Sequence, residues 1–316
     1  MKDFACVLKG VRTAAIAGHI RPDGDCVGSC LATYNYIKTY YSDIDVTLYL
    51  EPIPNIFKFL AKAGEIEHSF LEEREYDLFI VQDCGDEGRL GGAAAYFRSA
   101  KKTVCIDHHI SNSSFADENY IVPGASSTSE LVFGLIGEEQ ITKEIAECIY
   151  VGIVHDTGVF QYSSTSAKTM EIAGKLMEKG IDFPKIIEET FYAKTFAQNR
   201  ILGKALLKSR LYAGGRVIAS YVTKAEMEEF EALPKHLDGI VNQLLVTKGA
   251  EAAIFLYETE DGGPFKVSTR SHGFVNVAEI AVSLGGGGHV QAAGLSMQGE
   301  PESVIQAVVT EMQKQL

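Results

Sequence analysis

The 316 residues are 46% apolar and 22% charged, the balance of a globular protein with room for a large core, and their number suits two domains. Forty-two acidic against 29 basic side chains leave a formal charge of −13, which argues against gripping long nucleic acid through the overall field. No stretch runs long enough without charge to span a bilayer, and MKDFACVLKG has neither an apolar core nor a small-residue cleavage site, so the chain reads as cytoplasmic, with no membrane partner.

Thr13 to Ala17 is a short apolar run that predicts the first parallel strand, and Val27 to Tyr40 is an amphipathic segment that predicts the helix after it. The turn between them, GHIRPDGD, holds His19, Asp23 and Asp25. A tight loop could aim all three into one volume, where unpaired carboxylates raise one another's pKa unless a cation intervenes. The same residues also suit a solvated turn in which Asp25 caps its own helix.

A second strand is predicted at Val46 to Leu50, a short helix around Ile56 to Ala63, and a buried central strand at Asp77 to Val81. Asp83 stands just beyond that strand, where an aspartate is also a common turn former. Thr103 to Ile106 predicts another strand, followed at once by Asp107, His108 and His109. An acid and two imidazoles at the carboxyl end of a parallel strand open into the crevice where α/β sheets bind ligands, although a polar turn with hydrogen-bonded histidines is the bland alternative. Ser126 to Gly137 and Thr142 to Val154 are helical by apolar spacing, and HDTGVF places Asp156 at the next boundary. The six cysteines show no paired framework. Cys26 and Cys84 adjoin acidic residues, but without the spacing of a zinc site.

From Ser166 to Gly180 a helix is predicted, then a second from Phe183 to Phe191 with Asp182 as cap and Pro184 in its first turn, then a third from Phe196 to about Leu211. Residues 191–211 read as a helical connector between a domain at 1–190 and one at 212–316, a hinge able to open and close a cleft. The C-terminal domain is predicted to contain strands at Val217 to Val222, Ala252 to Tyr257 and Phe265 to Thr269, helices from Lys224, within Leu237 to Val246 and at Val277 to Leu284, and the turn Asp261-Gly262-Gly263-Pro264. In GGGGHVQAAG, the amides of Gly286, Gly287 and Gly288 could surround an anion beside His289, and Arg270 could grip a terminal phosphate with its planar fork. A flexible helix-ending turn is the plainer reading of the glycines.

In order, GHIRPDGD, VQDCGD, DHH and GIVHDTGVF closely resemble the four motifs of the DHH phosphoesterase superfamily, and STRSH with GGGGHVQAAG resembles its DHHA1 domain. The resemblance covers essentially the whole chain and is strongest to the nanoRNase and pAp phosphatase subfamily. It implies an α/β fold, with a mainly parallel sheet flanked by helices and a smaller C-terminal α/β domain. It also implies two divalent cations, usually Mn²⁺, with Mg²⁺ or Co²⁺ as alternatives. His19, Asp23 and Asp83 would hold one, and Asp25, Asp83, His108 and Asp156 the other, with attack by a hydroxide between them. Asp107 would orient an imidazole, and His109 would meet the scissile phosphate as acid or charge stabiliser. Arg270, Gly286, Gly287, Gly288 and His289 would contact substrate, a short RNA oligonucleotide or nucleoside bisphosphate rather than a long duplex. Cyclic or linear dinucleotide hydrolysis, or nucleotide sensing without turnover, are the alternatives. A homodimer is compatible with the sequence and not demanded by it.

Overall fold

The computed structural model describes residues 2–71, 74–260 and 262–316. The chain forms two compact units, 1–193 and 194–316.

The first unit contains strands β1 (Thr13–Ala17), β2 (Asp45–Tyr49), β3 (Leu78–Gln82), β4 (Thr103–Asp107) and β5 (Glu118–Ile121). They form one parallel sheet in the order β2-β1-β3-β4-β5. Its helices are α1 (Phe4–Leu8), α2 (Gly24–Tyr40), α3 (Ala94–Ser99), α4 (Thr128–Ile136), α5 (Lys143–Asp156), α6 (Ala167–Glu178) and α7 (Phe183–Ile187). Successive side chains of a strand point to opposite faces, and both faces here are buried. Ala14, Ile16, Leu78, Ile80, Val104 and Ile106 pack with α2, α4 and α5, while Ala15, Ala17, Phe79, Val81 and Cys105 pack with Tyr49, Tyr96 and Phe97 on the other side. That two-sided burial is why β3 reads LFIVQ rather than alternating, each large apolar side chain contributing roughly 1.5–3 kcal/mol. The strand order reverses between β1 and β3, and at such a switch point the carboxyl ends of neighbouring strands diverge to leave a crevice.

The predicted helix at Ile56 to Ala63 is instead two single 3₁₀ turns, Asn55–Phe57 and Ala63–Glu65. Pro54 precedes the first, and Lys62 in the left-handed region (φ 63°) precedes the second. β5 escaped prediction because ENYI is a partly exposed edge strand with no apolar run. The helix predicted to reach Phe191 leaves α geometry after Ile187 and continues as a π turn, Glu188–Tyr192.

The second unit opens with α8 (Phe196–Lys208), then β6 (Arg210–Tyr212), β7 (Val217–Val222), α9 (Lys224–Glu229), α10 (Ile240–Leu245), β8 (Ala252–Glu258), β9 (Phe265–Ser271), α11 (Val277–Ser283), β10 (Gly287–His289), β11 (Ala292–Met297) and α12 (Pro301–Gln313). The six strands form a mixed sheet, β10-β11-β9-β8-β7-β6. α8 was expected within a connector, yet Ile201 and Ala205 are fully buried in the second unit's core beside Ile218, Leu244 and Phe255. The helix also ends sooner than predicted, because Ser209 is extended and Arg210–Tyr212 pairs antiparallel with β7. Asp261 of the predicted turn lies outside the described residues.

Candidate metal centre

The loops after β1, β3 and β4, with the first turn of α2 and the last residue of α5, bring the ionisable residues together. His19 follows β1, and its Nδ1–H donates to the Ile20 carbonyl (2.8 Å), leaving Nε2 free. That nitrogen lies 3.6 Å from Asp23 Oδ2 and 3.5 Å from Asp83 Oδ2. Asp23 is also the N-cap of α2, its Oδ1 accepting the amides of Asp25 and Cys26 at 3.1 Å. One carboxylate therefore caps a helix with one oxygen and faces the cluster with the other.

The cap expected of Asp25 is thus made by Asp23. Asp25 is fully buried and reaches to α4, accepting from the amides of Thr128 (2.6 Å) and Ser129 (2.9 Å) in that helix's first turn. Helix N-termini favour an anion there. The close approach of α5 depends on Gly152, where a methyl group would come within 1.9 Å of the Ser129 hydroxyl and 2.7 Å of Asp25 Oδ1.

Asp83 occupies the centre. It sits just past β3 in the left-handed region (φ 53°), a geometry that costs an ordinary L-residue roughly 1–2 kcal/mol and that Asp tolerates better than most. The turn directs its two oxygens different ways. Oδ2 faces His19, while Oδ1 lies 3.7 Å from His108 Nε2 and 3.6 Å from His109 Nδ1 and accepts from the Thr128 hydroxyl at 3.2 Å.

After β4, His108 donates from Nδ1 to the Ala125 carbonyl (3.3 Å) and turns Nε2 toward Asp156 Oδ2 (3.0 Å) and Asp25 Oδ2 (3.9 Å). Asp156 is the last residue of α5. His109 makes a different contact, its Nδ1–H donating to Asp107 Oδ1 at 2.7 Å. Asp107 is fully buried and also accepts from the amides of His108 (2.8 Å) and His109 (3.3 Å) and from Asn112 Nδ2 (2.6 Å).

Burial lowers the pKa of His19, but Asp23 and Asp83 overcome it and push the imidazole up to about 11. His108 behaves alike, with Asp156 and Asp25 carrying it up to about 10 against its burial. Asp25 is driven well above the carboxylate range by burial and by Asp83 and Asp156. Asp107 differs. Burial pushes it up, yet hydrogen bonds from His109 and Asn112 hold it below its ordinary value.

Donor atoms of Asp25, His108 and Asp156, of Asp83, His108 and His109, and of His19, Cys26 and Asp83 each gather within 4.8 Å. Four carboxylates around two imidazoles are mutually repulsive without compensating charge, and mixed nitrogen and oxygen donors suit a first-row divalent ion better than Ca²⁺. The residues therefore fit a pair of cations. His155, beside Asp156, points away. Its Nε2 meets the Thr190 hydroxyl at 3.0 Å, its ring packs against Phe57 and Phe191, and burial lowers its pKa to about 4.

Sequence reasoning passed over Asn112, Thr128 and Ser129. Polar residues in a loop or a helix's first turn carry no periodic signal, and their partners lie on other loops.

In the second unit, Arg270 is half-buried in β9, donates from Nη1 to the Thr269 carbonyl (2.9 Å) and has no carboxylate partner among the described residues. It lines a pocket of about 510 Å³ with Lys266, Ser268, Tyr257, Gly285 and Gly286. The glycine run is only partly an open loop. Gly287, Gly288 and His289 form β10, opposite Gly294, Ala293 and Ala292 of β11, and they do not line the pocket. A methyl group at Gly286 would come within 2.3 Å of the Gly294 carbonyl oxygen, and one at Gly288 within 2.4 Å of Ala293 Cα, so tight hairpin packing itself requires glycine.

The comparisons with known proteins agree with this architecture. A model of the DHH family, N-terminal domain, matches residues 13–153, and a model of the DHHA1 domain matches residues 214–316. The chain is 28% identical to the bifunctional oligoribonuclease and PAP phosphatase NrnA of Thermus thermophilus, covering 99% of this chain and 94% of that one. It is 27% identical to the protein of the same name from Bacillus subtilis, covering 90% and 89%. A solved structure of an exopolyphosphatase-related protein from Bacteroides fragilis superposes with a TM-score of 0.87 at 27% identity, covering 98% of this chain and 94% of that one. No helix among the described residues is long and apolar enough to cross a membrane. With both domains matched in order and a parallel sheet that gathers the motif residues at one end, the chain belongs to the DHH phosphoesterase family, its DHH domain followed by a C-terminal DHHA1 domain.

Proposed function

We propose that the protein is a metal-dependent phosphoesterase that hydrolyses short oligoribonucleotides, 3'-phosphoadenosine 5'-phosphate, or both. The observation that carries this reading is the placement of Asp83, whose Oδ2 faces His19 while its Oδ1 faces His108. A carboxylate so placed can bridge two cations, His19 and Asp23 completing one set of donors and Asp25, His108 and Asp156 the other. Mn²⁺ fits the mixed donors, with Mg²⁺ or Co²⁺ as substitutes. Such a pair, when bound, neutralises phosphoryl oxygens and makes water acidic enough to attack near neutral pH.

The chain's own groups do the rest. Asp107 holds the Nδ1–H of His109 and raises the ring's pKa, so that His109 in its protonated form turns an Nε2–H toward a phosphoryl oxygen or the leaving group. Arg270, with no carboxylate to neutralise it among the described residues, is suited to a terminal phosphate, and the bare backbone of Gly285 and Gly286 lets that group approach closely. The relatives named as oligoribonuclease and PAP phosphatase support this substrate class.

The test is a panel of pApA, pAp, cyclic di-AMP and pyrophosphate, incubated with Mn²⁺ while metal content is measured on the same sample. Release of AMP from pApA or pAp is expected. Turnover of pyrophosphate alone would overturn the proposal.

A further inference from the structure

We infer that Asn112 is a positioning residue for His109, acting through Asp107. This rests on the reading that His109 meets the substrate.

Oxygen Oδ1 of Asp107 accepts from His109 Nδ1 and from the amides of His108 and His109. The other oxygen, Oδ2, accepts only from Asn112 Nδ2, at 2.6 Å, among the described residues. The residue is fully buried, so no solvent replaces that donor. The same amide nitrogen donates to the Cys84 carbonyl (3.1 Å), the residue after Asp83, while Asn112 Oδ1 accepts the Ser114 amide (2.7 Å) and the Asn112 backbone amide donates to the His109 carbonyl (3.1 Å). These partners decide which way the amide faces: a flipped group would set its oxygen against a carboxylate and a carbonyl. One side chain thus ties the loop after β4 to the loop after β3, and it fixes the plane of the carboxylate that orients His109. Removing it orphans Oδ2. The carboxylate then turns to share its remaining donors, and His109 loses its defined proton position.

The experiment compares Asn112→Leu, which keeps the volume and removes the donors, with Asn112→Gln, His109→Ala and the Asn112→Leu/His109→Ala double variant. Turnover of pApA, Mn²⁺ binding by calorimetry, thermal melting and ¹⁵N spectra of histidine-labelled protein in Mg²⁺ are the readouts. Asn112→Leu is expected to lower kcat by about 10–100-fold, the usual scale for loss of an outer-shell partner, with Mn²⁺ affinity and KM nearly unchanged. Its His109 ring should lose the signature of the Nδ1–H bonded to Asp107 that is expected of the parent. The double variant should be no slower than His109→Ala. Asn112→Gln, which keeps the amide, should recover part of the loss and remains the test if Asn112→Leu melts too low to assay. Near-parental kcat with an unchanged His109 spectrum, additive losses in the double variant, or a loss traced wholly to weakened Mn²⁺ binding would each overturn the inference. If His109→Ala turns over normally, the role given to His109 itself falls. An inert Asn112 substitution beside a crippled His109→Ala removes only the role of Asn112.

Discussion

The carboxylate of Asp25, in the first turn of α2, accepts the backbone amide of Thr128, 103 residues further along the chain, at 2.6 Å. That contact makes a candidate metal ligand part of the fold, because the same group satisfies the N-terminus of α4. Asp25→Ala is therefore expected to act twice. It should abolish turnover, and by leaving two buried amides without their acceptor it should cost about 1–3 kcal/mol per orphaned group, offset in part by relief of repulsion from Asp83 and Asp156. Denaturant unfolding of parent and variant, both stripped of metal, measures the balance. Parental activity in Asp25→Ala would refute its place at the centre.

Asp83→Asn keeps the shape of the proposed bridging group and removes its charge. Turnover should fall by more than the roughly 100-fold that loss of an outer-shell partner costs. The sharper measurement is thermal: Mn²⁺ at 100 times its Kd should stabilise the parent by about 2.7 kcal/mol, and most of that increment should vanish in the variant. An unchanged Mn²⁺-dependent melting shift would remove Asp83 from the bridge.

Chelation should behave as the reciprocal experiment. Exhaustive treatment with EDTA is expected to stop hydrolysis and lower the melting temperature, and added Mn²⁺ should restore both, since ligand bound only to the native state stabilises by mass action. Full activity in protein verified to be metal-free would end the dimetal reading.

Arg270→Ala tests the second unit. Loss of a charge-assisted contact to a terminal phosphate costs about 1.5–3 kcal/mol, a rise in KM for pAp of roughly 10–150-fold, while a small artificial phosphodiester without that phosphate should be much less affected. Arg270→Lys should recover only part, because an ammonium lacks the planar fork. Equal losses on both substrates would take Arg270 out of the substrate site.

Stability at low pH has a separate marker in Glu130, buried in the first turn of α4. Burial pushes its pKa up, but hydrogen bonds from Ser126 and Thr169 and the nearby Lys168 ammonium leave it below its ordinary value of 4.5. A carboxylate lowered on folding contributes stability that is fully present above the unfolded value and is lost as pH falls through the folded one. Glu130→Gln should therefore destabilise by about 1–3 kcal/mol at pH 7 and by progressively less below pH 4.5. A difference between parent and variant that stays constant across that range would contradict this account.

Local chemistry made much of the molecule legible in the amino-acid order. The runs at Thr13 to Ala17 and Thr103 to Ile106 are strands because β-branched and small apolar residues suit a sheet buried on both faces, and Ser166 and Asp182 cap helices where their hydroxyl and carboxylate can accept from the following turn. The short edge strands β5 and β6, the π turn after α7 and the packing of α8 into the second unit were not legible. Each depends on a neighbour supplied from elsewhere in the chain.

The candidate site divides in the same way. The residue types and their order along the chain drew attention to His19, Asp23, Asp25, Asp83, Asp107, His108, His109 and Asp156 at element ends, and the resemblance to the DHH superfamily implied which six of them would hold metal. Which oxygen of Asp83 faces which imidazole, that Asp23 rather than Asp25 caps α2, and that Asp107 leans on Asn112 were decided only when the chain folded. The Asp83 contacts, at 3.5 and 3.7 Å, join different loops, and no spacing along the chain encodes a distance between segments that meet at the end of a sheet, while the Asp23 and Asp107 contacts depend on how each loop turns once its neighbours hold it.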